Sequence, residues 1–208
     1  MTLDLPGHGS AASLRASLPE TADLVLDALP REPVVLGGYS FGARVALHVA
    51  LREPSRLRAL VLLGASRGIR DPRERHERVV RDEALARRLE EVGVDVFLRE
   101  WLAQPLFERL GTRAESDTRS VDAAGLANSL RRAGTGTQEW LGERLATLDT
   151  PTLALAGDAD TKFTREARAI ADALANGRSA TIRDAGHAAH LEQPERVAAA
   201  IEDFLASA

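Results

Sequence analysis

The chain has no cysteine, which excludes disulfides and thiolate metal sites. It has almost no lysine: Lys162 is the only one, and every other basic residue is arginine. A carboxylate bound by this protein therefore meets a guanidinium, which can grip it through two parallel N–H donors. Net basic charge is lacking as well. The formal charge is −4, which leaves no electrostatic footprint for nucleic acid. No apolar run approaches the roughly 20 residues of a membrane span. No basic segment followed by an apolar one opens the chain, so no signal peptide is visible. No H-x-x-x-H pair or carboxylate cluster suggests a metal. The expectation is a cytoplasmic enzyme or binding protein without cofactor. It would act on a small molecule as a monomer or weak homo-oligomer, apart from nucleic acid and membrane.

What is present is ordinary for a globular protein. At 208 residues, with 44% hydrophobic and 28% charged, the chain can build one domain with a sizeable core. Thr2–Leu5 reads as a strand end closed by the turn Pro6-Gly-His-Gly9. A helical pattern follows from Leu14 to Leu29, interrupted by Pro19. Pro33–Leu36 is a short buried strand, Phe41–Leu51 a helix, and Leu57–Leu63 a strand. The alternation then stops. From Arg67 to about Leu148 the patterns are helical: Pro72–Val92, a second helix carrying Phe97, Leu98, Trp101 and Leu102, and a third over Val121–Ala133. Alternation returns with strand Pro151–Ala156, helix Thr164–Ala175, strand Ala180–Arg183 and helix Pro194–Leu205. Strands alternating with helices imply a mostly parallel sheet covered on both faces. The helical block must leave that sheet and return, as a cap over the carboxyl ends of the strands, where open α/β sheets bind ligands. The expected division is 1–66 and 149–208 for the α/β core, and 67–148 for the cap.

Gly38-Tyr-Ser-Phe-Gly42 joins a strand directly to a helix and fits G-x-S-x-G. In that turn a strained serine stands exposed above the sheet. Ser40 is the candidate reactive group, and the Phe41 amide points at a developing oxyanion. A serine needs a base, and the expected chain order is serine, acid, histidine. Asp160 follows the Pro151–Ala156 strand and is the candidate acid, with Asp158 competing. His187 follows the last strand and is the candidate base. His8 lies in a turn, His48 reads as packed, His76 as solvated, and His190 as structural. A phosphate-binding loop is the competing reading of Leu36–Gly42, but G-x-G-x-x-G and the Walker lysine are both missing.

These residues resemble the α/β-hydrolase fold. Within it they look most like the 2-succinyl-6-hydroxy-2,4-cyclohexadiene-1-carboxylate synthases of menaquinone synthesis. The likeness is carried by Asp4-Leu-Pro-Gly-His-Gly9, Gly38-Tyr-Ser-Phe-Gly-Ala-Arg44 and Glu74–Arg78 with Asp82. It continues through Trp101-Leu-Ala-Gln-Pro-Leu-Phe107, Gly134–Gln138, Gly157-Asp-Ala-Asp-Thr-Lys-Phe163 and Ala185–His190 with Glu192–Pro194. It runs the length of the chain. The resemblance implies a carbon–oxygen lyase that eliminates pyruvate from 2-succinyl-5-enolpyruvyl-6-hydroxy-3-cyclohexene-1-carboxylate. Ser40 would be a base activated by His187 and oriented by Asp160. It further implies that Arg44, Arg78 and Arg119 bind the carboxylates of this polycarboxylate substrate, with Tyr39 and Trp101 lining the ring site. A carboxylesterase in which Ser40 forms an acyl-enzyme is the alternative, and a non-catalytic binding remnant the second.

The family has three more strands and a helix before Asp4. Its third-strand loop supplies the second oxyanion amide. No such segment occurs here, so the fold is expected to lack the first three strands. A late start assignment is the expected reason. Without the third strand a gap is expected between the fourth and the fifth. The site is expected to be impaired by it, unless Met1–Leu5 pairs directly beside Pro33–Leu36.

Overall fold

Four short apolar runs rich in Leu and Val become strands because they can bury both faces. The computed structural model describes residues 1–114 and 122–207. The strands are β1 (Val34–Tyr39), β2 (Leu57–Leu63), β3 (Thr152–Gly157) and β4 (Gly177–Ile182). They form one parallel sheet in the order β1-β2-β3-β4. Alternate residues of β2 face opposite ways. Leu60 and Leu62 join a core with α1 (Leu18–Ala28), α2 (Phe41–Arg52) and α5 (Thr161–Ala173). Ala59, Val61 and Leu63 join a second core with α7 (Pro194–Ala206). A parallel sheet covered on both faces by helices is the α/β architecture that the alternation implies.

Met1–Leu5 is in no strand, contrary to the sequence reading. Asp4 turns back on its own loop, accepting from the Ser10 amide and hydroxyl, both at 2.8 Å. The His8 amide donates to Leu5 O at 2.9 Å. These local bonds replace a ladder. Among the described residues β1 therefore has a strand on one side only. The second difference concerns Pro19. It does not interrupt a helix begun at Leu14 but lies in the first turn of α1. Ser17 and Glu20 form a capping box around it, and proline is tolerated at that end because the amide it lacks has no partner there.

Between β2 and β3 no strand occurs among the described residues. Helix α3 (Pro72–Leu102) contains one non-helical residue, Gly93, at φ 76° and ψ 171°. Two helices thus meet at a residue free to take that backbone. Arg88 spans the joint to grip both oxygens of Glu100, at 3.0 and 2.6 Å. Helix α4 (Ala123–Ala133) begins at an N-cap, Asp122, whose side chain accepts from the Gly125 amide at 2.9 Å. The expected helix start at Val121 lies outside the described residues. Ala86, Leu89, Phe97 and Ala127 give α3 and α4 a small core of their own. This block is tied to the α/β core by Arg67 to Glu166 of α5 and by Gln138 Nε2 donating to Ser66 O, just after β2, at 3.0 Å. Leu141, Leu145 and Leu148 enter the α2 side of the main core.

Candidate active site

The turn from β1 into α2 holds Ser40 at φ 50°, ψ −106°. That backbone is unfavourable for a residue with a Cβ and costs roughly 1–3 kcal/mol unless its surroundings enforce it. They do so here. The Ser40 amide donates to Leu63 O at the end of β2, at 2.8 Å, and Ser40 O accepts from the Arg44 amide in α2. The strand before and the helix after leave the hydroxyl at the carboxyl edge of the sheet. Phe41 is the first residue of α2, so its N–H has no partner within the helix.

His187 lies in the connection between β4 and α6 (Ala189–Glu192) and is 3% exposed. Its Nε2 is 3.1 Å from Ser40 Oγ, and its Nδ1 is 2.8 Å from Asp160 Oδ2. With Asp160 ionised, Nδ1–H is the donor to the carboxylate, and Nε2 is left to accept the serine proton. Asp160 caps α5, its other oxygen accepting from the Phe163 amide at 3.2 Å. One carboxylate thus fixes both a helix start and the imidazole. Asp158, the competing acid, is turned elsewhere and accepts from the Ala185 amide at 3.2 Å. Gly64, at φ 62°, faces the imidazole, where a Cβ would be 2.9 Å from His187 Cε1. The set can relay a proton from the Ser40 hydroxyl, as either a nucleophile or a base requires.

Aromatic rings surround this histidine. The Tyr39 ring centroid is 5.2 Å from that of His187, Phe163 4.5 Å and Phe107 6.1 Å. Sequence reasoning missed Phe107 and Phe163 as site residues, although both close segments that carry the family likeness. For Phe163 the signal was its place three residues after a helix-capping aspartate. Trp101 does not reach the histidine directly. It stacks on Phe97 at 5.8 Å and touches Phe107 at 6.2 Å, so Phe107 stands between it and the imidazole. The Tyr39 phenol is held protonated by burial and, secondarily, by Glu192 and Asp160.

Arg44 lies one turn beyond Ser40 with its guanidinium over the Phe41 ring, 5.3 Å from the centroid. It donates to Ala133 O at 2.8 Å, joining α2 to the end of α4. Burial and then the nearby Arg78 guanidinium push it down to about 10, against the pull of Asp82. Among the described residues no carboxylate is in ion-pair reach of it. Arg78 is bound to buried Asp82 at 2.7 Å. It also opens on a cleft of about 870 Å3, shared with Arg70, Arg81, Trp140 and Lys162. Ser40, Asp160 and His187 do not line that cleft. Arg119 lies outside the described residues. No group of three or more metal-ligating side chains occurs among the described residues, and no helix there is long and apolar enough to cross a membrane.

His48, on α2 one turn past Arg44, is buried with no partner for its Nε2. Burial, then Arg144 and Arg44, push it down to about 4. The folded state therefore prefers neutral His48. Its contribution is fully present above the unfolded value near 6.5 and is lost as pH falls toward 4. We expect wild type to lose about 2–3 kcal/mol of unfolding free energy over that window from this group. The loss should be absent from His48→Leu, as read by urea titrations at pH 7 and pH 4.5. Equal losses in both would remove His48 as the cause.

A parallel sheet, a strained serine at its carboxyl edge, and an aspartate and then a histidine later in the chain define the class. The chain belongs to the α/β-hydrolase family, whose model matches residues 1–200. More particularly, it is similar to 2-succinyl-6-hydroxy-2,4-cyclohexadiene-1-carboxylate synthases. It is 32% identical to that of Serratia proteamaculans over 99% of this chain and 82% of the relative. It is 34% identical to a Bacillus subtilis protein provisionally given the same name, over 98% of this chain and 77% of that one. The solved structure of MenH from S. aureus matches with a TM-score of 0.90 at 31% identity, covering 98% of this chain and 82% of that one.

Proposed function

We propose that the chain is a carbon–oxygen lyase of menaquinone synthesis that releases pyruvate from 2-succinyl-5-enolpyruvyl-6-hydroxy-3-cyclohexene-1-carboxylate. The observation that carries the reading is Arg44. It is a half-buried guanidinium one helical turn from a serine–histidine pair, with no carboxylate of the described protein in ion-pair reach. A half-buried cation without an ion-pair partner beside the reactive group favours a substrate rich in carboxylates over a neutral ester. The likeness to the synthases supports a 2-succinyl-6-hydroxy-2,4-cyclohexadiene-1-carboxylate product, which this substrate gives on losing pyruvate. Residues 67–148 are read as the cap over this site, with Arg78 and Arg119 as further carboxylate ligands and Tyr39 and Trp101 beside the ring.

The geometry suits this chemistry. His187 Nε2 takes the Ser40 proton while Asp160 faces the imidazolium that forms. The Ser40 oxygen then removes the ring proton next to the succinyl carbonyl. Charge develops on the carbonyl oxygen, where the Phe41 N–H can meet it. The electron pair returns through the ring double bond and breaks the bond to the enolpyruvyl oxygen. Pyruvate leaves as its enolate and takes one proton, supplied by the imidazolium, while Ser40 keeps the proton it removed. The test supplies purified protein with the enolpyruvyl substrate and couples pyruvate to lactate dehydrogenase. Pyruvate release that is lost in Ser40→Ala supports the lyase. Rapid hydrolysis of p-nitrophenyl acetate without pyruvate release would establish a carboxylesterase instead. Product binding without turnover of either would leave a binding protein.

A further inference from the structure

We propose that Glu192, supported by Asp158, is a positioning residue that sets the His187 imidazole over Ser40 by clamping the two amides that precede it. The inference rests on the reading of Ser40, His187 and Asp160 given above. The segment Asp184-Ala-Gly186 has no regular structure of its own and turns through a left-handed residue, Asp184 at φ 60°. Four of its six backbone polar groups are nevertheless held. The Ala185 amide donates to Asp158 Oδ1 at 3.2 Å, and Ala185 O accepts from the Ala159 amide at 2.9 Å. Asp184 O accepts from the side chain of Gln193 at 3.2 Å. The shortest of these bonds is the last before the histidine: the Gly186 amide donates to Glu192 Oε2 at 2.7 Å.

The two carboxylates are unequal. Asp158 is exposed, so water can replace it. Glu192 is 7% exposed and Gly186 is also buried, so the amide has no alternative acceptor in water. A bond from an amide to a carboxylate is also the stronger kind. A buried acid is costly to keep, and its bond to the Gly186 amide offsets part of that cost. What it supplies is a fixed end for the chain one residue before the imidazole. That matters because a displacement of about 1 Å at a proton-transferring group can cost a hundredfold in rate. Chain order strengthens the case. Asp158 and Asp160 leave the same strand end, one holding the backbone ahead of His187 and the other its ring.

The probe is phenylmethanesulfonyl fluoride on the full chain. It forms a bond from sulfur to Ser40 Oγ, releases fluoride, and sends the serine proton to His187. Glu192→Met keeps the volume but removes the acceptor. We expect it to lower the limiting labelling rate ten- to hundredfold, with the half-saturating probe concentration unchanged. Glu192→Gln retains an acceptor oxygen and should recover to within about threefold of wild type. Asp158→Ala should fall only a few-fold. A general loss of structure would depress Gln and Met alike and would lower the unfolding midpoint in step with the rate. If Glu192→Met does not fold, Glu192→Asp draws the carboxylate back by one methylene and carries the same comparison. Wild-type rates in folded Met or Asp variants overturn the clamp while leaving the Ser40 reading intact. Failure of wild type to label, or labelling that persists in Ser40→Ala, overturns the reading of the site and the clamp with it.

Discussion

Asp160→Asn is expected to lower kcat for pyruvate release by about ten-thousandfold, and Asp158→Asn by less than tenfold, with KM within a few-fold in both. The two aspartates are separated by a single residue, Ala159, after the end of the same strand, and only geometry distinguishes them. Asp160 Oδ2 is 2.8 Å from His187 Nδ1, in a place where both side chains are almost fully buried. An asparagine there can present its NH2 group to Nδ1. The ring is then driven to the tautomer with its proton on Nε2, and Nε2 can no longer accept from Ser40. Asp158 meets only the backbone amide of Ala185, and an asparagine oxygen can accept the same bond. The measurement is steady-state pyruvate release at several substrate concentrations, with thermal unfolding as a check on folding. Comparable losses in the two variants would remove Asp160 from the role proposed for it.

Much of this site is legible in the sequence, because chain order encodes it. Once Gly38–Gly42 is placed between a strand and a helix, the acid must follow a later strand and the base the last one. Ser40, Asp160 and His187 then fall to residues that the fold does bring together. What was not legible depends on where loops turn. Thr2–Leu5 carries a strand-like alternation, but a strand also needs a partner, and alternation says nothing of one. Phe107 and Phe163 were not singled out because a phenylalanine's place in the sequence does not say which ring it meets. Glu192 was only the first residue of a Glu-Gln-Pro signature. Its bond to the Gly186 amide depends on how the short helix Ala189–Glu192 folds back, which no periodicity reports. Pro19 misled for a simpler reason: the same residue breaks a helix from within and starts one from its first turn.

The two glycines of Gly38-Tyr-Ser-Phe-Gly42 look equivalent in sequence, and their substitution by alanine should have opposite results. A Cβ on Gly38 would lie inside contact distance of Gly42 O and C, and 2.6 Å from Ala43 N. All three are backbone atoms of the turn that holds Ser40, so none can rotate aside. Gly38→Ala must push the start of α2 away from β1. We expect a loss of about 3 kcal/mol or more, a large part of the roughly 5–15 kcal/mol available to a domain. Reactivity at Ser40 should fall with it, because displacing Phe41 and Ser40 lengthens the 3.1 Å contact to His187. A Cβ on Gly42 meets nothing within 4 Å, and Gly42 lies inside the first turn of α2 without a left-handed backbone. Alanine there removes only the conformational freedom of the unfolded chain and should raise stability by up to about 1 kcal/mol. Urea midpoints of the two variants beside wild type read both effects. A Gly38→Ala protein as stable as wild type would mean that the turn can open without cost. The strain at Ser40 would then not be enforced by the close approach of β1 to α2.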